Sequence, residues 1–141
     1  MEKDIINILI VDDEKYEGIL IEKCVNWESE GFHIIGNVQC AEDALKLMEK
    51  QVPDIVYTDI NMPRIDGLEL SRRIRDTYPA VRIVIVTGYR EFEYAREAIH
   101  IGVEEFLLKP IQSDELLAAA MKLREQILKK REQQSKDVEI Y

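Results

Sequence analysis

Ile5-Ile6-Asn7-Ile8-Leu9-Ile10-Val11-Asp12-Asp13 is the stretch on which the reading of this chain turns. It is apolar at every position but Asn7 and then stops at two carboxylates. A run without apolar–polar alternation reads as a strand buried on both faces, the kind that parallel sheets contain. Similar short runs recur at Phe32 to Val38, Ile55 to Asp59, Arg82 to Thr87 and Glu105 to Leu108. Segments with helical spacing separate them. The first runs from Glu14 to about Glu30, with a stripe of Tyr16, Ile19, Leu20, Lys23 and Cys24, and Gly31 ends it. Ala41 to Lys50 turns Ala44, Leu45, Leu47 and Met48 inward, and Gly67 to Tyr78 does the same with Leu68, Leu70 and Ile74. Glu91 to Ile101 is a fourth helix. Ser113 caps a fifth, which runs from Asp114 past Leu128.

Alternating βα units predict an α/β fold: a doubly wound parallel sheet with right-handed crossovers and helices on both faces. In such sheets ligands bind beyond the carboxyl ends of the strands, where the strand order reverses. The residues at those ends are Asp12 and Asp13, Asp59, Thr87 and Lys109. Three carboxylates, a hydroxyl and an ammonium are therefore expected on one rim.

The remaining composition narrows the function classes. A chain of 141 residues, 46% hydrophobic and 33% charged, suits one globular domain. Its 28 acidic and 19 basic residues give a net charge of −9, which disfavours nucleic-acid binding by this segment. Cys24 and Cys40 form no CxxC pair and lack histidines at zinc-ligand spacing, so reduced thiols are expected. Neither a signal pattern nor a run of about 18 apolar residues is present, and a cytoplasmic location with no membrane contact is expected. His33 and His100 read as structural or exposed. Arg72, Arg73 and Arg75 read as a solvated helix face beside Glu69 and Asp76.

Clustered carboxylates repel one another, and a hard divalent cation relieves that repulsion. Mg²⁺ takes oxygen ligands, keeps several waters and uses one or two carboxylates. Asp13 and Asp59 suit direct ligation, with Asp12 acting through water. A carboxylate is also a nucleophile toward phosphorus, and Lys109 and Thr87 are placed to neutralise phosphoryl oxygens.

These motifs resemble the receiver domain of two-component response regulators over about residues 5–128. Ile8-Leu9-Ile10-Val11-Asp12-Asp13-Glu14 resembles the family's acidic pair, and Asp59-Ile60-Asn61-Met62-Pro63-Arg64-Ile65-Asp66-Gly67 its phosphoacceptor loop. Val86-Thr87-Gly88 and Phe106-Leu107-Leu108-Lys109-Pro110 match its hydroxyl and its switch aromatic with lysine. The resemblance implies a flavodoxin-like (βα)5 fold with five parallel strands in the order 2-1-3-4-5. It implies that Asp59 accepts a phosphoryl group from a sensor histidine kinase. Mg²⁺ would be held by Asp12, Asp13, Asp59 and the backbone carbonyl of Asn61. Thr87 and Lys109 would bind phosphoryl oxygens, and Phe106 would move with Thr87 as the switch pair. It also implies a cis peptide between Lys109 and Pro110.

Trp27 with Gly31-Phe32, and the segment Thr87-Gly88-Tyr89-Arg90-Glu91-Phe92-Glu93-Tyr94-Ala95, are similar to receivers joined to AraC-type DNA-binding domains. The expected organisation is a receiver at residues 1–128 and a polar helical extension at 129–141 leading toward an output domain. DNA would be reached only through that domain. A phosphorylation-dependent homodimer is expected on the face of the fourth helix, fifth strand and fifth helix, with Leu123 and Ile127 forming a short seam. Tyr89, two residues after Thr87, is expected to shield the phosphoryl group from water.

Three other readings compete. An aspartyl-nucleophile phosphatase needs an acid two residues after the nucleophile, and Asn61 stands there. A flavin-binding module needs a phosphate-cradling loop after the first strand, where this chain has Asp12-Asp13-Glu14. A docking scaffold that is never phosphorylated has no need of the full acidic set. The chain therefore reads as a signalling domain, not an enzyme acting on other substrates.

Overall fold

The apolar runs form β1 (Ile6–Val11), β2 (Phe32–Val38), β3 (Ile55–Thr58), β4 (Arg82–Thr87) and β5 (Glu105–Leu108). The computed structural model describes residues 4–88 and 92–140, except for the side chains of 137–140. All the strands pair in parallel, in the order β2-β1-β3-β4-β5. The helices are α1 (Lys15–Lys23), α2 (Ala41–Lys50), α3 (Gly67–Thr77), α4 (Phe92–Ile101) and α5 (Ser113–Ile140). This is the expected doubly wound sheet.

Two hydrophobic cores sit on the two faces of the sheet, because successive strand residues point to opposite sides. Ile6, Ile8 and Ile10 meet Ile21 of α1 and Leu116, Ala120 and Leu123 of α5. Leu9 and Val11 meet Ala44 and Met48 of α2, on the face that also holds Leu70, Ile74 and Ala98. Tyr57 spans the first core and donates its hydroxyl hydrogen to the carbonyl of Leu116 at 2.7 Å, tying β3 to α5. Between β1 and β2 the register shifts after Ile8, so that Leu9 lies opposite Gly36. A Cβ at Gly36 would lie 2.5 Å from Leu47 Cδ1, so the Leu47 side chain of α2 packs directly on the bare strand there.

The first helical segment departs from expectation. It ends at Lys23, and a separate 3-10 turn covers Glu28–Glu30. Trp27 is the cause. It is buried, donates from Nε1 to the carbonyl of Ile21 at 3.0 Å, and packs edge-on against Phe32. Filling that space with an indole breaks the helix before Gly31. The inward face is also rotated from the expected stripe. Gly18 and Ile21 are buried, with Val25 beyond the helix, while Tyr16, Ile19 and Leu20 face solvent.

At the other end α5 continues without interruption to Ile140. Arg131 holds it to the base of the domain through Asp54 at 2.7 Å. Leu123 and Ile127 are buried in the domain's own core, which corrects their assignment to a seam between copies. Arg72 and Arg73 pair with Glu69, as a solvated face would. Arg75 does not belong to that face. It pairs with Glu104 and donates to the carbonyls of Pro79, Val81 and Gly102, knitting together the loops at the base of β4 and β5. Among the described residues, no helix is long and apolar enough to cross a membrane.

Candidate functional site

The ends of β1 and β3 meet because the two strands are hydrogen-bonded neighbours. Asp59 donates its backbone N–H to the Val11 carbonyl at 3.0 Å, which brings it beside Asp12. Asp12, Asp13 and Asp59 each offer a carboxylate oxygen, and those oxygens lie within 4.8 Å of one another. Asp12 and Asp59 are buried, at 1% and 6% exposure, and Asp13 is the member open to solvent.

Each buried carboxylate is fixed by a nearby amide. Asp12 Oδ1 accepts from Glu14 N at 2.9 Å, and Asp59 Oδ1 accepts from Ile60 N at 2.7 Å. Their other oxygens share one counter-ion. Lys109 Nζ lies 3.1 Å from Asp12 Oδ2 and 3.2 Å from Asp59 Oδ2. Burial pushes the Asp12 carboxyl up to about 6; the Glu14 amide and Lys109 pull the other way, and Asp59 adds to the rise. Burial alone would lower the Lys109 ammonium, but the charges of Asp59 and Asp12 outweigh it and raise it.

Lys109 reaches this point because β5 pairs with β4. Its backbone N–H donates to the Thr87 carbonyl at 2.9 Å, and Leu108 lies opposite Thr87 in the ladder. The Lys109–Pro110 peptide is cis, as expected. Thr87 is fully buried at the end of β4. Phe106 is half-buried on the face of β5 that meets the α2–α3–α4 core. Tyr89 lies outside the described residues.

The loop after Asp59 closes tightly. Gly67 N–H donates to the Ile60 carbonyl at 2.8 Å, and a Cβ on Gly67 would stand 1.9 Å from the Asp59 carbonyl oxygen. Only glycine permits that approach. Ile60 and Met62 are buried beneath the loop, and Asp66 caps α3 by accepting from Glu69 N at 2.8 Å. Asn61, between them, is exposed.

All the sequence-predicted polar residues thus lie at the carboxyl ends of β1, β3, β4 and β5. The structure joins Asp12, Asp13, Asp59 and Lys109 directly, and places Thr87 one hydrogen-bonded step away. Sequence reasoning did not find the amides of Ile60 and Glu14 that hold the two buried carboxylates. The signal is local, an aspartate bonding an N–H one or two residues on, and too common to single out a site.

The donor set is all oxygen, partly buried, with one carboxylate facing water. That fits a hard divalent cation such as Mg²⁺, which retains several waters. Asp12, Asp13 and Asp59 are the groups that would hold it.

The family model for the response regulator receiver domain matches residues 8–121. The transcriptional regulatory protein YesN of Bacillus subtilis, itself uncharacterized, is 37% identical over 112 residues, covering 79% of this chain and 30% of that protein. The chain therefore spans under a third of that relative's length. The receiver domain of AraT, a response regulator from Geobacillus stearothermophilus, is 31% identical and superposes with a TM-score of 0.84, covering 90% of this chain and 98% of that one. A CheY-like receiver domain from Methanospirillum hungatei, at 24% identity, shares the fold with a TM-score of 0.81 and coverage of 89% and 98%. With the matched segment running from within β1 through β5 and taking in the acidic rim, the chain belongs to the response regulator receiver domains, signalling domains whose relatives regulate transcription.

Proposed function

We propose that Asp59 accepts a phosphoryl group from the phosphohistidine of a sensor kinase, in a reaction that requires Mg²⁺. The observation that carries this is the shared counter-ion: Lys109 bridges Asp59 and Asp12 at 3.2 and 3.1 Å, on a rim with a third carboxylate at hand. A carboxylate oxygen of Asp59 attacks phosphorus, the N–P bond of the donor breaks, and the imidazole leaves with that electron pair. Asp12, Asp13, Asp59 and the Asn61 carbonyl would hold the cation, which when bound would offset charge on the phosphoryl oxygens. Lys109 pairs with one of those oxygens and Thr87 hydrogen-bonds another. The loop closed by Gly67 keeps Asp59 in place throughout.

Phosphorylation then draws Thr87 inward, and Phe106 follows. The surface around α4, β5 and α5 changes and, with it, self-association. The domain acts in the cytoplasm and touches DNA only through an output module, of AraC type, reached along the α5 extension at residues 129–141. Asn61 stands where an aspartyl-nucleophile phosphatase needs its general acid, which favours a domain acting only on its own phosphorylation state.

Intact mass after treatment with acetyl phosphate and Mg²⁺ tests the proposal. One added phosphoryl group is expected, absent without Mg²⁺ and absent in Asp59→Ala. An unmodified wild-type protein, or modification that survives Asp59→Ala, overturns it.

A further inference from the structure

Asp12, Thr58, Asp59, Ser71 and Thr87 are buried although polar. Asp12, Asp59 and Thr87 belong to the rim, and Ser71 donates to the Gly67 carbonyl within its own helix at 2.7 Å. That leaves Thr58 without a role. It closes β3 and shares a face of the strand with the apolar Val56, two residues before it. Valine would fill the same space at no polar cost, whereas a buried hydroxyl needs a partner. Its partner is the phosphoacceptor residue. Thr58 Oγ1 donates to the Asp59 carbonyl at 2.9 Å. Both ladders of β3 end at Thr58, so this carbonyl lies past the sheet's own pairing, and Gly67 packs against it.

We infer that Thr58 is a positioning residue for phosphoryl transfer to Asp59, acting through the Asp59–Ile60 peptide. This rests on the function proposed above and adds a residue to it. The Thr58 hydroxyl holds the carbonyl end of that peptide. The carboxylate holds the amide end, because Ile60 N–H donates to Asp59 Oδ1 at 2.7 Å. A peptide unit is planar, so fixing the direction of its C=O also fixes that of its N–H. The hydroxyl thereby aims the N–H at Oδ1, and Oδ2 is left facing Lys109 at 3.2 Å. Threonine suits the task because its branched Cβ restricts χ1, and the hydroxyl keeps one direction. The next carbonyl, that of Ile60, is held by Gly67 N–H at 2.8 Å. The first two peptide groups of the loop are therefore both pinned, one by a side chain and one by the backbone. Without the hydroxyl the first can rotate, its N–H leaves Oδ1, and the carboxylate loses the orientation that attack on phosphorus requires.

Two variants of the whole chain separate the hydroxyl from the shape around it. Thr58→Val keeps the shape and removes the donor; Thr58→Ser keeps the donor and removes the methyl group. Amide exchange at Ile60, followed by NMR in the unphosphorylated protein with chelator present, reads the peptide directly. In Thr58→Val it is expected to quicken about tenfold beyond any change in the amides of β1 and β4, which report global opening. In Thr58→Ser it is expected to stay near the wild-type rate. Phosphorylation by acetyl phosphate at saturating Mg²⁺, followed by intact mass, reads the consequence. Thr58→Val is expected to slow it about tenfold or more, and Thr58→Ser to recover most of the rate. Wild-type exchange at Ile60 in Thr58→Val overturns the inference, and so does a Thr58→Ser as slow as Thr58→Val. A wild type that takes no phosphoryl group overturns the function proposed above. A phosphorylated wild type with an equally fast Thr58→Val overturns this inference alone.

Discussion

Replacing Asp12 with asparagine should stabilise the metal-free domain. The side chain is 1% exposed, and its carboxyl is raised from an ordinary 3.8 to about 6, first by burial. A group raised in the folded state favours folding fully below the unfolded value and loses that contribution as pH rises through the folded value. Below about pH 4 Asp12 is protonated in both states and imposes no charge cost. Above about pH 6 it is ionised in both, and the folded state carries the whole difference, at most about 3 kcal/mol. Asparagine keeps an oxygen for the Glu14 amide and leaves the Lys109–Asp59 pair intact. It also gives up the attraction of Lys109, so a net gain of about 1–3 kcal/mol is expected at pH 7.5. For a domain of this size that is roughly 4 °C in Tm per kcal/mol.

Urea denaturation of both proteins at intervals from pH 4 to pH 8, with chelator present, measures the effect. The variant's advantage should be near zero at the acid end and grow between about pH 4 and pH 6. Mg²⁺ should then narrow the gap at pH 7.5, because a ligand bound only by the folded state stabilises the wild type more. A destabilised variant, or an advantage that is flat with pH, would refute the reasoning that burial of this charge is a net cost.

Gly67→Ala forces a Cβ into the Asp59 carbonyl; a loss of about 2–4 kcal/mol is expected in urea melts, with slower phosphorylation by acetyl phosphate. Tyr57→Phe removes the donor to the Leu116 carbonyl and should cost about 1 kcal/mol by the same assay, and a neutral result would show that this bond adds nothing. Asp13→Ala should weaken Mg²⁺ binding about tenfold or more by calorimetry, because Asp13 is the solvent-facing carboxylate of the trio proposed to hold it. Arg131→Ala should speed hydrogen exchange in residues 129–136 while moving global stability by no more than about 1 kcal/mol; unchanged exchange would mean that the ion pair with Asp54 does not hold the tail.

The strands and the rim were legible because their signals are local and strong. An apolar run ending at carboxylates can be a buried strand meeting a polar edge, and repeating that pattern leaves few topologies. The first helix was misread because its stripe counted Tyr16, Ile19 and Leu20 as core residues. Apolar character at helical spacing does not say which side faces the sheet. That is decided by Gly18, where an added Cβ would lie 2.6 Å from Asn37 Oδ1, and by Trp27, whose indole occupies the space a longer helix would need. Leu123 and Ile127 formed a true seam, but periodicity could not tell whether the seam closes on the domain or on a partner. Arg75 looked like one of three surface arginines. Its partners, Glu104 and three carbonyls, come from segments that only the fold brings together.

Lys109 links the carboxylates of the rim to the ends of β4 and β5. A single ammonium answers two buried carboxylates from β1 and β3. Under the proposed function, a phosphoryl group on Asp59 would compete with Asp12 for that ammonium. Lys109 cannot shift alone, since its backbone N–H is bonded to the carbonyl of Thr87 and the preceding Leu108 is registered against Thr87. The Asp59 carboxylate at the end of β3 is thereby linked through Lys109 to the ends of β4 and β5. The chain leaving β4 leads within a few residues into α4. The base of the same layer is held by Arg75 through the Gly102 carbonyl and Glu104, just past the carboxyl end of α4. The cost of burying Asp12 thus falls on the rim itself, where a bound cation would relieve it.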